Sequence, residues 1–553
     1  MHTSEPLSHF SNEYLQFLYE SLPTAASSDG MHAHDDRLED LGRAARDNQG
    51  RELGGFARRL DRISTRSLTA EEQLERRMLA DHIRGRLFDL EEVRPWQRDP
   101  QHYANLLARS LVGQTSFAYA PVEERARRVV SRLRQTPRLL EAAEANIAEP
   151  PGIFIKNGAE TLDGVVTFIE RDLPRAFRQL EDLHLLGDLA DAATEATDSI
   201  GRFAAHLRDT LAPQSRATFR LGRERFEGRL RYRDGITLGT EQLLAIAERE
   251  LGRAQERFRE VAAKLDAKKD PVDVWQQVKG RHPEGGKLVQ TVRGQLTELR
   301  AFIERNAIVT LPAGEEVLVA PTPEFYRWNN ASLWSPGPFE PKQLPSCYYV
   351  TDVERAWSAE RCAEHLREVN FAILPSMSVN AVYPGDHLRS QHQRHIEGSL
   401  RKSTLFAPVS FVGGWAHYAE QMMMEAGLAD GDETQELAQI ARVLLRLARM
   451  VVSMRLHTED MSVEQGVRFF REEAHLEEGR ARREAERGTF DLEYALDSVG
   501  RLMLVKLRAD LEAAEGGGFS LKSFHDRLLG QGAVPLWLHR MLLLGDTGEP
   551  LLD

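Results

Sequence analysis

The apolar residues of this chain recur at three- and four-residue spacing over most of its length, which predicts a fold built mainly of helices. The pattern is plain in TAEEQLERRMLADHIRGRLFDLEEV (69–93), PVEERARRVVSRLRQTPRLLEAAEANI (121–147) and ETQELAQIARVLLRLARMVVSMRLH (433–457). Strand signals are few and short. RFEGRLRYRDGITL (225–238), bracketing a turn at Asp234-Gly235, and IVTLPAGEEVLVAPTP (308–323) are the best of them. The expected architecture is mainly α with a small β element. It divides softly into a helical part over 1–230, helices with the β element over 231–320, and a site-bearing helical part over 321–553; one continuous domain is the alternative.

At 553 residues, with 41% hydrophobic and 28% charged side chains, the chain has ample material for a packed core. A formal charge of −13 argues against a general nucleic-acid or anionic-membrane binder, since phosphate recognition needs positive surface. Basic runs such as RARREAER alternate with acids and read as solvated helix faces. Two cysteines, Cys347 and Cys362, make neither a disulfide framework nor a cysteine zinc cluster. The N-terminus lacks the basic start and apolar run of a secretory signal, and the expectation is a cytoplasmic protein. No Gly-Lys-Ser phosphate loop, dinucleotide fingerprint or Gly-x-Ser-x-Gly elbow is present.

One stretch carries a more specific signal. In SVNAVYPGDHLRSQH (378–392), Pro384 disfavours helical geometry at Tyr383 and Gly385 relaxes the backbone. Positions 380 and 386 would lie about 240° apart on a straight helix, so only a kink turns both toward one pocket. Together with SFVGGWAHYAEQMM (410–423), RLHTEDMSVEQGVRFF (455–470), GTFDLEYALDSVGRLMLVKLR (488–508) and FSLKSFHDRLLGQGAVPL (519–536), it resembles consecutive motifs of the bacterial domain-of-unknown-function 885 family. AASSDGMHAHDDRLEDL (25–41) and APTPEFYRWNNASLWSPGPFE (320–340) extend the resemblance over nearly the whole chain. That family is similar to gluzincin-type metallopeptidases. The resemblance implies a helical body around a deep groove, with zinc held by a His-Glu-x-x-x-Gly-His helix and by the glutamate of a Glu-Gly-Trp-Ala motif.

Carried over residue by residue, the departures fall on the functional positions. Asn380 stands at the first histidine ligand, Ala381 at the general-base glutamate, Asp386 at the second histidine and Gly413 at the glutamate ligand. Asp497 takes the place of a tyrosine able to donate to a developing oxyanion. Tyr383, Pro384, Gly385, Trp415, His417, Tyr418, Glu420, Arg455, His457, His525 and Asp526 fit the pattern. A catalytic zinc needs about three protein ligands, an open position for water and a carboxylate to take its proton. The frame is kept while that ligand set is not, so no metal or other cofactor is expected.

Three functions fit these substitutions. In the first, the chain is a repurposed metal-independent enzyme acting on a small amine-bearing, amino-acid or peptide-like substrate. Asp386 and Asp497 then serve as an acid and base pair aided by His417 and His457, while Asn380, Tyr383, Gly413, Tyr418, Glu420 and Arg455 bind substrate. In the second it is an inactive pseudopeptidase that binds a peptide or protein partner. In the third it is a hydrolase whose metal site is rebuilt from Asp386, His417 and Glu420, the last two sharing a helix face with position 413. Two gained carboxylates suit a cationic ligand under either of the first two readings, because buried carboxylates are costly unless paired. His387, His392 and His395 point to different faces, and Met422, Met423 and Met424 read as core packing. A homodimer is the expected assembly, with no nucleic acid and no membrane as partner.

Overall fold

In the computed structural model of the chain, residues 6–314, 316–323, 330–545 and 550–552 are described. Part of the 320–340 motif, residues 324–329, lies outside them. The fold is mainly α with a small sheet, and it divides into two compact units.

The first unit comprises residues 1–233 together with two returning segments, 336–344 and 398–405. Its long helices begin where the sequence supplies caps. The Thr69 side chain accepts from the Glu72 N–H, while the Glu72 carboxylate accepts from the Thr69 N–H, a reciprocal cap that starts the helix Ala70–Phe88. Val122–Asn146 packs on Leu183–Ala205, and its buried Val129, Leu133, Leu140 and Ala143 recur at the three- and four-residue spacing of an amphipathic helix. The 25–41 motif holds the returning segments. The Asp29 carboxylate accepts from Tyr19 Oη (2.7 Å), Ser403 Oγ (2.6 Å) and the Thr404 N–H (2.9 Å). Gly30, at a φ of 86°, lies so close to Glu340 that a Cβ would stand 2.4 Å from its nitrogen. Only glycine satisfies both the left-handed backbone and that approach.

The strands expected over 225–238 are not formed. Arg223–Arg229 is a helix that continues as a π-helical turn through Asp234. Phe226 and Leu230, four residues apart, are both buried, and Gly228 packs directly on the Phe88 ring. Helical spacing of the apolar residues outweighs the short alternation that suggested strands. The chain does turn at Gly235, whose φ is 69°.

The second unit comprises residues 234–335, 345–397 and 406–553. Thr240–Leu265 packs along Glu433–Thr458. The sheet has the order β1 (Val317–Pro321), β3 (Ser346–Val350), β2 (Ala331–Trp334). Its β1–β3 pair is parallel, with Val317 opposite Ser346, and its β2–β3 pair is antiparallel, with Ala331 opposite Val350. Buried Ser346, Tyr348 and Val350 alternate with less buried neighbours, as a strand with one face on the core requires. Two of the three strands thus lie beyond residue 320.

Candidate functional site

Within the second unit, the 378–392 stretch folds as two helices, Leu374–Ala381 and Asp386–Arg394, separated by a break at 382–385. At that break a Cβ on Gly385 would stand 1.8 Å from the Asn380 carbonyl oxygen and 2.3 Å from that of Val379, so the chain can fold back there only with glycine. The indole of Trp415 donates to the Pro384 carbonyl (2.9 Å) and the Gly385 carbonyl (3.3 Å). This fastens the break to the helix Val409–Glu425.

Val409–Glu425 crosses Leu496–Glu515 backbone to backbone. A Cβ on Gly414 would approach the Gly500 Cα to 2.7 Å, and one on Gly500 would meet the Ser410 carbonyl oxygen at 1.6 Å. One residue before this crossing lies Gly413, where a Cβ would stand 2.0 Å from Asp497 Oδ1. The Asp497 carboxylate therefore fills the space a side chain at 413 would take. Gly413 and Asp497 are complementary halves of one contact.

A third helix, Glu433–Thr458, supplies arginines. Glu420, fully buried on Val409–Glu425, is clasped by Arg442 (Nε to Oε2, 2.6 Å; Nη2 to Oε1, 2.9 Å) and Arg446 (2.7 Å), and accepts from Ser376 Oγ (2.6 Å). Burial alone would raise the Glu420 pKa, but the two guanidiniums hold it at about 2. Arg446 Nε lies 4.0 Å from Asp497, and Arg449 pairs in two-pronged fashion with Glu484 (2.7 and 2.8 Å). Burial raises the Asp497 pKa against the opposing pull of Arg446 and Arg449. On Leu496–Glu515, Arg501 donates to Gln421 Oε1 (2.6 Å), and burial brings its pKa down to about 10.

His417 lies among these groups. It is fully buried, with Arg446, Arg501 and Arg442 close enough to oppose its protonation and the backbone of Asp497 beside it. Burial first, then those three cations, hold its pKa well below the usual imidazole range, so the ring is neutral. Neither ring nitrogen has a well-formed hydrogen bond, and the same is true of Arg446 Nη1 and Arg501 Nε. The arginines were not anticipated from sequence, though a signal was present. Arg442, Arg446 and Arg449 interrupt the apolar stripe of RVLLRLARM at helical spacing, where a solvated face would not place them.

The other anticipated residues are dispersed. Asp386 is bound by Arg389 on its own helix (2.6 and 3.0 Å), and no hydrogen bond joins it to Asp497 among the described residues. Each aspartate has a guanidinium of this chain beside it, which removes the electrostatic reason for expecting a cationic ligand. His457 Nε2 meets the Gly488 carbonyl (3.0 Å), and Arg455 pairs with Glu248 and Glu459. Tyr418 Oη bonds His525 Nε2 (2.9 Å) and accepts from Arg508 (3.3 Å), while Asp526 accepts from the Thr310 N–H (2.7 Å). Buried Tyr383 lies edge-on to His387, and Asn380 is half-buried at the end of its helix. Both Glu420 oxygens are bound by arginine. Among the described residues no cluster of three His, Cys, Asp or Glu side chains could hold a metal ion.

Comparison with known proteins places this site in context. The model of a family described as "Bacterial protein of unknown function (DUF885)" matches residues 23–541, and the chain belongs to that family. A search of curated proteins finds no match. Among the solved structures that share the fold are two described as lipoproteins. One is described as a putative lipoprotein of unknown function from Shewanella oneidensis, with 24% identity, a TM-score of 0.81, and coverage of 98% of this chain and 100% of the other. The second, described as a putative lipoprotein from Colwellia psychrerythraea, has 16% identity, a TM-score of 0.80, and coverage of 97% and 98%. Among the described residues no helix is long and apolar enough to cross a membrane.

Proposed function

We propose that this chain is a metallopeptidase-like protein without a zinc site, a ligand-binding member of its family that does not turn over peptides. The observation that carries this reading is the contact between Gly413 and Asp497. At the position where the resemblance calls for a metal-ligating glutamate, a carboxylate from the neighbouring helix takes the space instead and lies beside Arg446. The residues at the remaining ligand positions do not fit zinc either. Asn380 is an amide, Ala381 offers no base, and Asp386 is engaged by Arg389. The ligand is amino-acid or peptide-like.

The raised pKa of Asp497 favours a second reading, a repurposed metal-independent enzyme in which this carboxyl is a general acid. That reading is weakened by the separate pairing of Asp386, its intended base. A cytoplasmic setting suits the two unpaired cysteines and remains part of the proposal, as does a homodimer, although the two similar structures are of proteins described as lipoproteins.

The test is direct. Purified protein, dialysed and analysed for metals, should carry no stoichiometric zinc, and a broad peptide mixture followed by mass spectrometry should be uncut with or without added zinc. Chelator-sensitive cleavage would overturn the proposal. Chelator-insensitive turnover lost in Asp497→Asn would establish the second reading instead.

A further inference from the structure

Four polar atoms around the crossing of Val409–Glu425 and Leu496–Glu515 are buried without a well-formed hydrogen bond. Arg446 Nη1 and Arg501 Nε are guanidinium donors, and each ring nitrogen of neutral His417 is either a donor or an acceptor according to tautomer. Their placement follows from the fold. Gly414 and Gly500 bring the two backbones together, so Arg501 runs alongside the turn from His417 to Gln421. Arg446 reaches in from the third helix, already bound to Glu420 on one side and near Asp497 on the other.

Leaving such groups unmatched is expensive. A buried charged donor without an acceptor costs more than a neutral one, and native interiors keep few of them. The residues named also carry an excess of positive charge. Arg442, Arg446 and Arg501 are opposed by two carboxylates, Glu420 and Asp497. The locus meets solvent at the Asp497 side chain, which is 24% exposed, and at half-buried Gly413.

We propose that Arg446, Arg501 and His417 form an anion-binding site that takes the carboxylate of an amino-acid or peptide-like ligand. Asp497 stands at its solvent side and competes for Arg446. The inference rests on the ligand-binding reading above and adds which end of the ligand is held. Guanidinium groups suit this role because their planar forks match a carboxylate in two-pronged fashion. The assignment reverses the polarity expected from the two gained aspartates. They are not the ligand's partners; one of them is its rival.

Two small probes separate the polarities. N-acetylglycine has a carboxylate and no amine, whereas glycinamide has an amine and no carboxylate. N-acetylglycine should raise the melting temperature of the wild-type chain by mass action, and glycinamide should not. Asp497→Asn, which removes the rival charge and keeps its size, should tighten N-acetylglycine binding measured by calorimetry. Arg501→Gln should weaken it roughly tenfold or more, as expected for a lost charge-assisted hydrogen bond. Arg501 donates to the neutral side chain of Gln421, so Arg501→Gln folds more readily than Arg446→Gln, which strips the buried Glu420 carboxylate of a partner. Circular dichroism of both variants checks that they are folded. Stabilisation by glycinamide alone, by neither probe, or undiminished binding of N-acetylglycine in Arg501→Gln would overturn the inference. Those outcomes leave the absence of peptide turnover untouched, whereas chelator-sensitive cleavage would sink the functional reading and leave the anion site in place.

Discussion

Glu420 shows how a single residue changes its meaning between sequence and structure. As a polar residue on the face of position 413, it reads equally well as a metal ligand or a substrate contact. In the fold its carboxylate is buried and bound to two guanidiniums and a hydroxyl, and it works as a three-helix fastener joining Leu374–Ala381, Val409–Glu425 and Glu433–Thr458. The energetic consequence can be read from pH. Its pKa falls from an ordinary 4.5 to about 2 on folding. A depressed carboxyl contributes stability that is fully present above about 4.5 and is lost as pH falls through about 2. The size is ~3 kcal/mol as an order of magnitude. Urea unfolding across this range should show the loss in wild type. Glu420→Gln should be less stable at neutral pH and flatter with pH between those limits. A parallel decline in both proteins would assign the acid sensitivity to other carboxyls.

At the scale of elements, the crossing of Val409–Glu425 and Leu496–Glu515 sets everything at the site. Gly500→Ala would place a methyl 1.6 Å from the Ser410 carbonyl oxygen. The obstacle is backbone and cannot rotate aside, so the helices must separate. A loss of about 3 kcal/mol, the upper end of ordinary overpacking, is expected in chemical denaturation. Gly517→Ala, in a stretch where a Cβ meets nothing within 4 Å, serves as the neutral control. Equal stability of the two variants would mean that the crossing is looser than the distances indicate. The same elements show what sequence could convey. Helical periodicity, the break at 382–385 and the strand at 317–321 were legible because each depends on local spacing or on Pro and Gly chemistry. The partnership of Gly413 with Asp497 was not, since the positions are distant in sequence and neither residue names the other. Nor was the arginine cluster, because an arginine on an apolar stripe reads the same whether it snorkels to solvent or binds a buried carboxylate. The false strand signal at 225–238 has the opposite cause: alternation over a few residues was mistaken for a period that the longer stretch contradicts.

At the scale of the whole molecule, the first compact unit is discontinuous in sequence, and polar contacts join its returning segments to residues 29–35. The segment 336–344 leaves β2, joins that unit, and returns into β3. Besides Gly30, it is held there by His32, whose Nε2 meets Glu340 Oε2 at 2.8 Å while Nδ1 meets Asp35 Oδ2 at 2.8 Å. The imidazole lies flat on Tyr119, 3.9 Å between ring centres, and Arg128 and Arg132 flank Asp35. Burial opposes protonation of His32, yet the hydrogen bonds and charges of Asp35 and Glu340 prevail and its pKa is raised above 6.5. Both ring nitrogens donate only in the imidazolium, so the clamp needs the proton. A group with a raised folded pKa contributes stability that is fully present below its unfolded value and is lost as pH rises through the folded one. The melting temperature of the wild-type chain should therefore decline through the range above pH 6.5. Glu340→Gln keeps an acceptor but removes one of the two charges that raise the pKa, so its decline should begin at lower pH. His32→Gln should show no decline from this source. Limited proteolysis reports the location of the change: cleavage within 336–344 should increase with pH in wild type and be pH-independent in His32→Gln. If cleavage there is insensitive to pH in wild type, His32 is not the segment's clamp.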